Sequence, residues 1–175
     1  ACALSAAHAV LAGDRSAFAP LLQSRIDQAE QETAHNDRLH LTIAANYGGQ
    51  WDVLNAMRAW QVAHPDKNLQ DLDANGLAAH LSTADLPDPE LLIRTGGESR
   101  ISNFLLWQTA YTELYFTDTY WPDFDAAALK KAIQWFEQRV RRFGRTDEQV
   151  AAQPITANAN ELSASPLAQT VFKIS

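Results

Sequence analysis

Residues 90 to 104 read Glu90-Leu-Leu-Ile-Arg94-Thr-Gly96-Gly97-Glu98-Ser99-Arg100-Ile-Ser102-Asn-Phe104. The apolar run Leu91-Leu92-Ile93 reads as a strand buried in a parallel sheet. It runs straight into two arginines, two glycines and two serines. Arginine offers a planar fork of donors that matches phosphate oxygens and stays charged. Paired glycines let the backbone approach an anion and turn N–H groups toward it. Ser102 adds a hydroxyl donor and is placed to cap a following helix. One reading is a diphosphate cradle between a strand and a helix N-terminus. The other is a tight turn with solvated arginines. A short glycine motif does not by itself separate them.

Outward from this segment, strands and helices alternate. Phe18, Leu22, Ile26 and Ala29 carry helical spacing over 16–34, with Ser16 as N-cap and Pro20 near the first turn. Residues 39–45 read as a buried strand, broken by Asn46-Tyr47-Gly48-Gly49. Trp51, Leu54, Met57, Arg58 and Gln61 mark the next helix, which His64-Pro65-Asp66 stops. A short helix is expected over 73–82, a strand over 90–94, a helix over 103–111 and a strand over 114–116. Asp125 then caps a helix with the face Leu129, Ile133, Phe136 and Val140. The fold class is α/β, a mainly parallel sheet flanked by helices. Ligands in such sheets sit at the carboxyl ends of strands, where both glycine motifs fall.

The chain has 175 residues, enough for one domain with a sizeable core. A formal charge of −7 argues against general nucleic-acid binding, which calls for a basic face. It leaves room for a local anion site at Arg94, Arg100 or the group Arg139, Arg141, Arg142, Arg145. The lone cysteine, Cys2, permits no internal disulfide, which fits a reducing, cytoplasmic setting. No window approaches the ~20 apolar residues of a membrane span. The five histidines show no metal-ligand spacing. After Gln149 periodicity fails, and residues 147–175 read as a mobile tail behind a domain spanning 1–146.

The block Arg94 to Asp118 resembles the signature of the cis-prenyltransferases, most closely the bacterial undecaprenyl diphosphate synthases. The resemblance extends back to Leu41–Gly49 and on through Trp121-Pro122-Asp123-Phe124 and Arg141-Arg142-Phe143-Gly144. It implies an enzyme that condenses isopentenyl diphosphate with an allylic diphosphate to make a Z-polyprenyl diphosphate, a lipid carrier for cell-wall synthesis. By that resemblance Arg94, Arg100 and Ser102 match positions that grip isopentenyl diphosphate, and Glu113 matches a carboxylate that holds Mg²⁺. Arg142 and Gly144 match an element that reaches the neighbouring subunit's substrate, which implies a homodimer. A lipid product implies peripheral contact with a membrane. For the apolar Phe104, Leu105, Leu106, Trp107 and Tyr111, core packing or dimer contact is the expectation ahead of a product tunnel.

Two departures stand beside the resemblance. The family's catalytic aspartate lies in a His-x-x-Asp-Gly-Asn-Gly-Arg-Trp-type motif that this sequence lacks, and Asp14 matches a different place. Ser99 stands where close bacterial relatives often carry a histidine. The expectation is a C-terminal portion of the family domain, carrying the isopentenyl diphosphate site, with no catalytic residue assigned and little transferase activity alone. The competing expectations are a noncatalytic diphosphate-binding or accessory subunit, and a fragment whose sheet exposes an apolar edge.

Overall fold

A computed structural model of the chain describes residues 7–139 and 170–173. The chain divides into two compact units, residues 1–87 with 102–107, and residues 88–101 with 108–175.

In the first unit β1 (Ala7–Ala12) pairs in parallel with β2 (Leu39–Ala44), from Ala7 opposite Leu39 to Ala12 opposite Ala44. The crossover between them is α1 (Pro20–Thr33). Pro20 takes the first helical position, where its missing N–H costs nothing. The helix therefore starts later than Ser16. Ala19, the residue before the proline, is held extended. Ser16 instead lies in a 3-10 turn, Arg15–Ala17, where the Asp14 carboxylate accepts from its N–H and its hydroxyl. Gly13 sits at φ +132°, and a Cβ there would fall 2.0 Å from the Ala45 carbonyl oxygen. Only glycine permits that close approach at the carboxyl ends of the two strands.

β2 is a strand as expected, but it is not buried. Leu39, Leu41 and Ile43, which share one face of the strand, are exposed, and β2 pairs with β1 alone in this unit among the described residues. The helix after Gly48 is α2 (Gly49–Ala63), ended at His64. Its buried face is Gly49, Asp52, Ala56 and Trp60, one step round from the expected stripe, and Leu54 points outward. Ala56 packs with Leu77 and Leu81, lined by Val53, Met57 and Leu72. Leu77 belongs to α3 (Ala74–Ala78), capped by the Asp73 carboxylate on the Gly76 N–H at 2.7 Å. That helix falls within the expected 73–82 span.

The second unit holds a three-stranded parallel sheet in the order β4-β3-β5. β3 (Leu91–Arg94) is buried at every position, as its unbroken apolar run requires. β4 (Glu113–Phe116) lies on one side of it, with Leu91 opposite Glu113. β5 (Thr170–Lys173) lies on the other. The tail reading contains no such element: a four-residue strand carries too little period to register in sequence. α4 (Ala126–Glu137) is capped by Asp125 as expected, its carboxylate accepting from the Ala128 N–H at 2.9 Å. Ala132 packs on Leu91 and Ile93, flanked by Leu129, Phe136, Trp135, Tyr115 and Phe124. Val140, the fourth residue of the expected face, lies outside the described residues.

The expected helix over 103–111 does not form. Ser102, Asn103 and Leu105 have φ of +45°, +58° and +47°, and a run of left-handed residues cannot propagate a right-handed helix. The segment is a series of turns.

One ion pair ties α1 to β1. Both nitrogens of the Arg15 fork meet the Glu30 carboxylate, at 2.9 and 2.5 Å, and the Leu11 N–H donates to the same carboxylate at 2.8 Å. Burial pushes the Glu30 carboxyl up. The Arg15 hydrogen bond, the Leu11 N–H and the nearby positive charge pull it down further, so it titrates below its ordinary value. A carboxyl with a lowered folded pKa stabilises the fold above its unfolded pKa and loses that contribution as pH falls through the folded value. Glu30→Gln should therefore lower the denaturation midpoint at pH 7. The difference from the parent should shrink as pH falls below the usual carboxylate range. Denaturant titrations at pH 7 and pH 3 measure this, and an equal penalty at both would contradict it.

Candidate functional site

The segment after β3 resolves the two readings residue by residue. Thr95 is buried, and Gly96 and Gly97 turn the chain at φ +84° and +76°. Their N–H groups do not face an anion. Gly96 donates to the Thr119 carbonyl and Gly97 to the Thr117 carbonyl, each at 3.0 Å. The glycine pair is thus a tight turn locked to the strand end beside it. A Cβ on Gly97 would also meet the Asp118 carboxylate at 3.3 Å.

The arginines divide. Arg94 is 2% exposed and is not solvated. Its Nη1 donates to the backbone carbonyl of Arg100, closing the loop 94–100 upon itself. Arg100 has a side chain 68% exposed and pairs with Glu98 at 2.5 Å. Glu98 therefore forms the within-loop salt bridge that its position allowed. One guanidinium supports the loop from beneath, and the other stands on its rim. An exposed arginine fork at the carboxyl end of a parallel strand is the part of this arrangement suited to a phosphate.

Ser102 lies with the first unit, exposed and left-handed, and the helix over 103–111 that it was expected to cap does not form. Its neighbour Asn103 does the capping instead, and for α2. The Asn103 carbonyl accepts from the Gly49 N–H at 2.7 Å, and its side-chain oxygen accepts from the Gln50 N–H at 2.9 Å. Gly48 and Gly49 are small because this loop lies on them: Cβ atoms there would fall 2.8 Å from Asn103 Nδ2 and 2.6 Å from Leu106 Cγ. The second glycine motif is therefore occupied by the chain itself. Leu105 is buried and Phe104 meets Tyr47 edge-on at 5.9 Å, the packing role expected of them, while Trp107 and Tyr111 are exposed.

Asp52 is a polar centre that sequence reasoning missed. It is 1% exposed and accepts from the Ser82 N–H at 2.9 Å, the Ser82 hydroxyl at 2.7 Å and the Tyr47 hydroxyl at 2.8 Å. The available signal was its place four residues before Ala56 on the inward stripe of α2. A carboxylate so fully bonded is a structural clamp.

Glu113 opens β4, and its Oε2 accepts from Arg139 Nε at 3.3 Å. The Arg139 guanidinium lies 4.9 Å from the centre of the Trp135 ring. Mg²⁺ asks for carboxylate together with phosphate oxygens. Among the described residues no group of three or more His, Cys, Asp or Glu is arranged to hold an ion, and Glu113 is engaged by an arginine. These residues do not by themselves fit a metal site. Arg142 and Gly144 lie outside the described residues.

Residues 4–144 match the protein-family model described as "Putative undecaprenyl diphosphate synthase". The chain belongs to this family of cis-prenyltransferases. It is 56% identical over 146 residues to an isoprenyl transferase of Nitrosomonas europaea, covering 83% of this chain and 55% of that one. It is 54% identical over 142 residues to the ditrans,polycis-undecaprenyl-diphosphate synthase ((2E,6E)-farnesyl-diphosphate specific) of Vibrio cholerae, covering 80% and 57%. The chain thus spans little more than half the length of these curated relatives. Its structure superposes on lavandulyl diphosphate synthase from Lavandula x intermedia in complex with dimethylallyl diphosphate, with a TM-score of 0.74 and 38% identity, over 79% of this chain and 61% of that one. A probable undecaprenyl diphosphate synthase from Campylobacter jejuni gives a TM-score of 0.70 at 30% identity, over 81% and 64%. The α/β fold class stands on these likenesses and on the parallel pairing of every strand pair described.

The division of labour between the arginines has a measurable consequence. Arg94→Ala removes a buried donor from the Arg100 carbonyl and should destabilise the protein by about 1–3 kcal/mol. Arg100→Ala removes an exposed ion pair and should change stability by less than about 0.5 kcal/mol. Urea denaturation of both variants decides it; a large loss in Arg100→Ala with none in Arg94→Ala would reverse the assignment.

Proposed function

We propose that this chain carries the isopentenyl diphosphate-binding part of a cis-prenyltransferase that elongates an allylic diphosphate to a Z-polyprenyl, undecaprenyl-type diphosphate. The observation that carries the reading is the pair of arginines at the end of β3, one buried under the loop and one exposed on it, within a family-matched sequence. Arg100 leaves Glu98 and forks onto the diphosphate, exchanging one charge-assisted contact for another. Arg94 is the positioning residue: it fixes the Arg100 backbone and adds positive charge beneath the anion. Ser102 offers a hydroxyl two residues on. Arg142 and Gly144 complete the neighbouring subunit's site in a homodimer. The protein works in the cytoplasm and meets a membrane through its lipid product.

For elongation, the residues of this chain bind and orient. Holding the isopentenyl group still beside an allylic partner lowers the entropic part of the barrier. Two diphosphates repel each other, and the arginines offset that repulsion locally in a chain of net charge −7. The family employs Mg²⁺ by the resemblance, with Glu113 as the matched carboxylate. The Arg139–Glu113 pair would have to open first, so no step is assigned to the metal.

A second reading, diphosphate binding without turnover, is favoured by that same engaged carboxylate. The two readings share the binding step and differ in the next. Calorimetric titration of the chain with isopentenyl diphosphate should show binding that weakens as salt rises. Arg100→Ala should cost about 10- to 150-fold in affinity, the worth of one charge-assisted contact. Arg58→Ala, exposed on α2, should change nothing. Unaltered affinity in Arg100→Ala would overturn the proposal. Incorporation of labelled isopentenyl units by this chain with farnesyl diphosphate separates the readings, and background incorporation supports the second.

A further inference from the structure

Ser102, Asn103 and Leu105 hold φ of +45°, +58° and +47° within one short segment. A left-handed backbone costs free energy for any residue but glycine, and it persists only where its surroundings over-determine it. Such residues gather at ligand clamps, so a run of them raises the question of what it holds in place. Asparagine enters this region more readily than most residues, because its short amide can bond locally. Serine has no such preference, so the φ of Ser102 needs a cause outside itself.

That cause is the next residue. The Asn103 carbonyl accepts from the Gly49 N–H at 2.7 Å, and its Oδ1 accepts from the Gln50 N–H at 2.9 Å. Both donors belong to the first turn of α2, where N–H groups have no partner inside the helix. Gly48, the residue that precedes the helix, supplies no side-chain cap. Leu106 closes the far side, where a Cβ on Gly49 would fall 2.6 Å from Leu106 Cγ. Residues 103–106 are thus stapled to α2 within one compact unit, and Ser102 stands at the leading end of the staple. A hydroxyl on a backbone so fixed is confined to the few directions that its χ1 rotamers allow.

We propose that Asn103 is a positioning residue for diphosphate binding: by locking onto the first turn of α2 it holds the Ser102 hydroxyl where a phosphate oxygen accepts from it. The inference rests on the reading of Ser102 as a donor to isopentenyl diphosphate and goes beyond it, because both Asn103 oxygens face the helix and neither meets the substrate. The Gly48-Gly49 pair, filled by the chain itself, then serves binding indirectly by admitting the staple.

The test is calorimetric titration of the full chain with isopentenyl diphosphate. Ser102→Ala removes a donor to a charged group and should weaken binding about tenfold or more. Asn103→Gly keeps the left-handed backbone accessible and deletes the side-chain staple. It should weaken binding about fivefold or more, and by no more than Ser102→Ala. With Ser102 already alanine, Asn103→Gly should add no more than about a twofold loss, because the hydroxyl it held is gone. Asp73→Ala removes the cap of α3 in the same unit, and should lower stability without changing affinity. Should Asn103→Gly not fold, Gly48→Ala presses on the same lock from the helix side, where its methyl would meet Asn103 Nδ2 at 2.8 Å, and the same Ser102-dependent loss is expected. A parent that does not bind, or unaltered affinity in Arg100→Ala, would remove the functional reading and this inference with it. With Arg100→Ala weakened as expected, three outcomes would overturn the positioning role alone. They are no loss in Ser102→Ala, no loss in the folded Asn103 or Gly48 variant, and a loss there that adds in full to that of Ser102→Ala or is matched by Asp73→Ala.

Discussion

Everything near the candidate site depends on burying one short strand. Leu91, Leu92, Ile93 and Arg94 are enclosed together, and three apolar side chains carry an arginine into the interior with them. A buried guanidinium is tolerable only where acceptors meet it. One of them is the carbonyl of Arg100, six residues further on. That requirement bends the chain back sharply, which is why Gly96 and Gly97 adopt positive φ and give their N–H groups to the carbonyls after β4. The exposed placement of Arg100 follows from the confinement of Arg94.

This order of causes alters the meaning of the glycine motifs. In sequence the first pair reads as either a diphosphate cradle or a tight turn, and both pairs fall at strand ends where ligands of such sheets sit. In the structure both pairs are consumed internally, one by the 117–119 segment and the other by Asn103 and Leu106. The backbone builds a rigid platform, and the charge that remains outward is a side chain. In the proposed function a phosphate meets the Arg100 fork on a loop whose glycine N–H groups are already bonded, which limits the entropy lost on binding.

The legible parts of the sequence were those with strong local signals. The unbroken apolar run of β3, the Asp125 cap, the His64 stop and the parallel alternation all read correctly because each rests on one dominant local term. The long block from Arg94 to Asp118 carried the family, as the match over residues 4–144 shows. What escaped were features fixed by partners distant in sequence. Residues 103–111 are apolar enough for a helix, but Asn103 is committed to α2 at Gln50, 53 residues earlier, and takes a left-handed turn. Leu39, Leu41 and Ile43 have the composition of a buried strand, and their exposure depends on which neighbours the sheet has. The Asp52 clamp needed Ser82 to be placed beside it before it could be recognised.

The most direct measurement is a crystal structure of the chain with isopentenyl diphosphate bound. The account predicts phosphate oxygens about 2.7–2.9 Å from the Arg100 guanidinium, Glu98 released, and Arg94 still holding the Arg100 carbonyl from below. A complex with Arg100 still paired to Glu98 and the diphosphate seated elsewhere would contradict it.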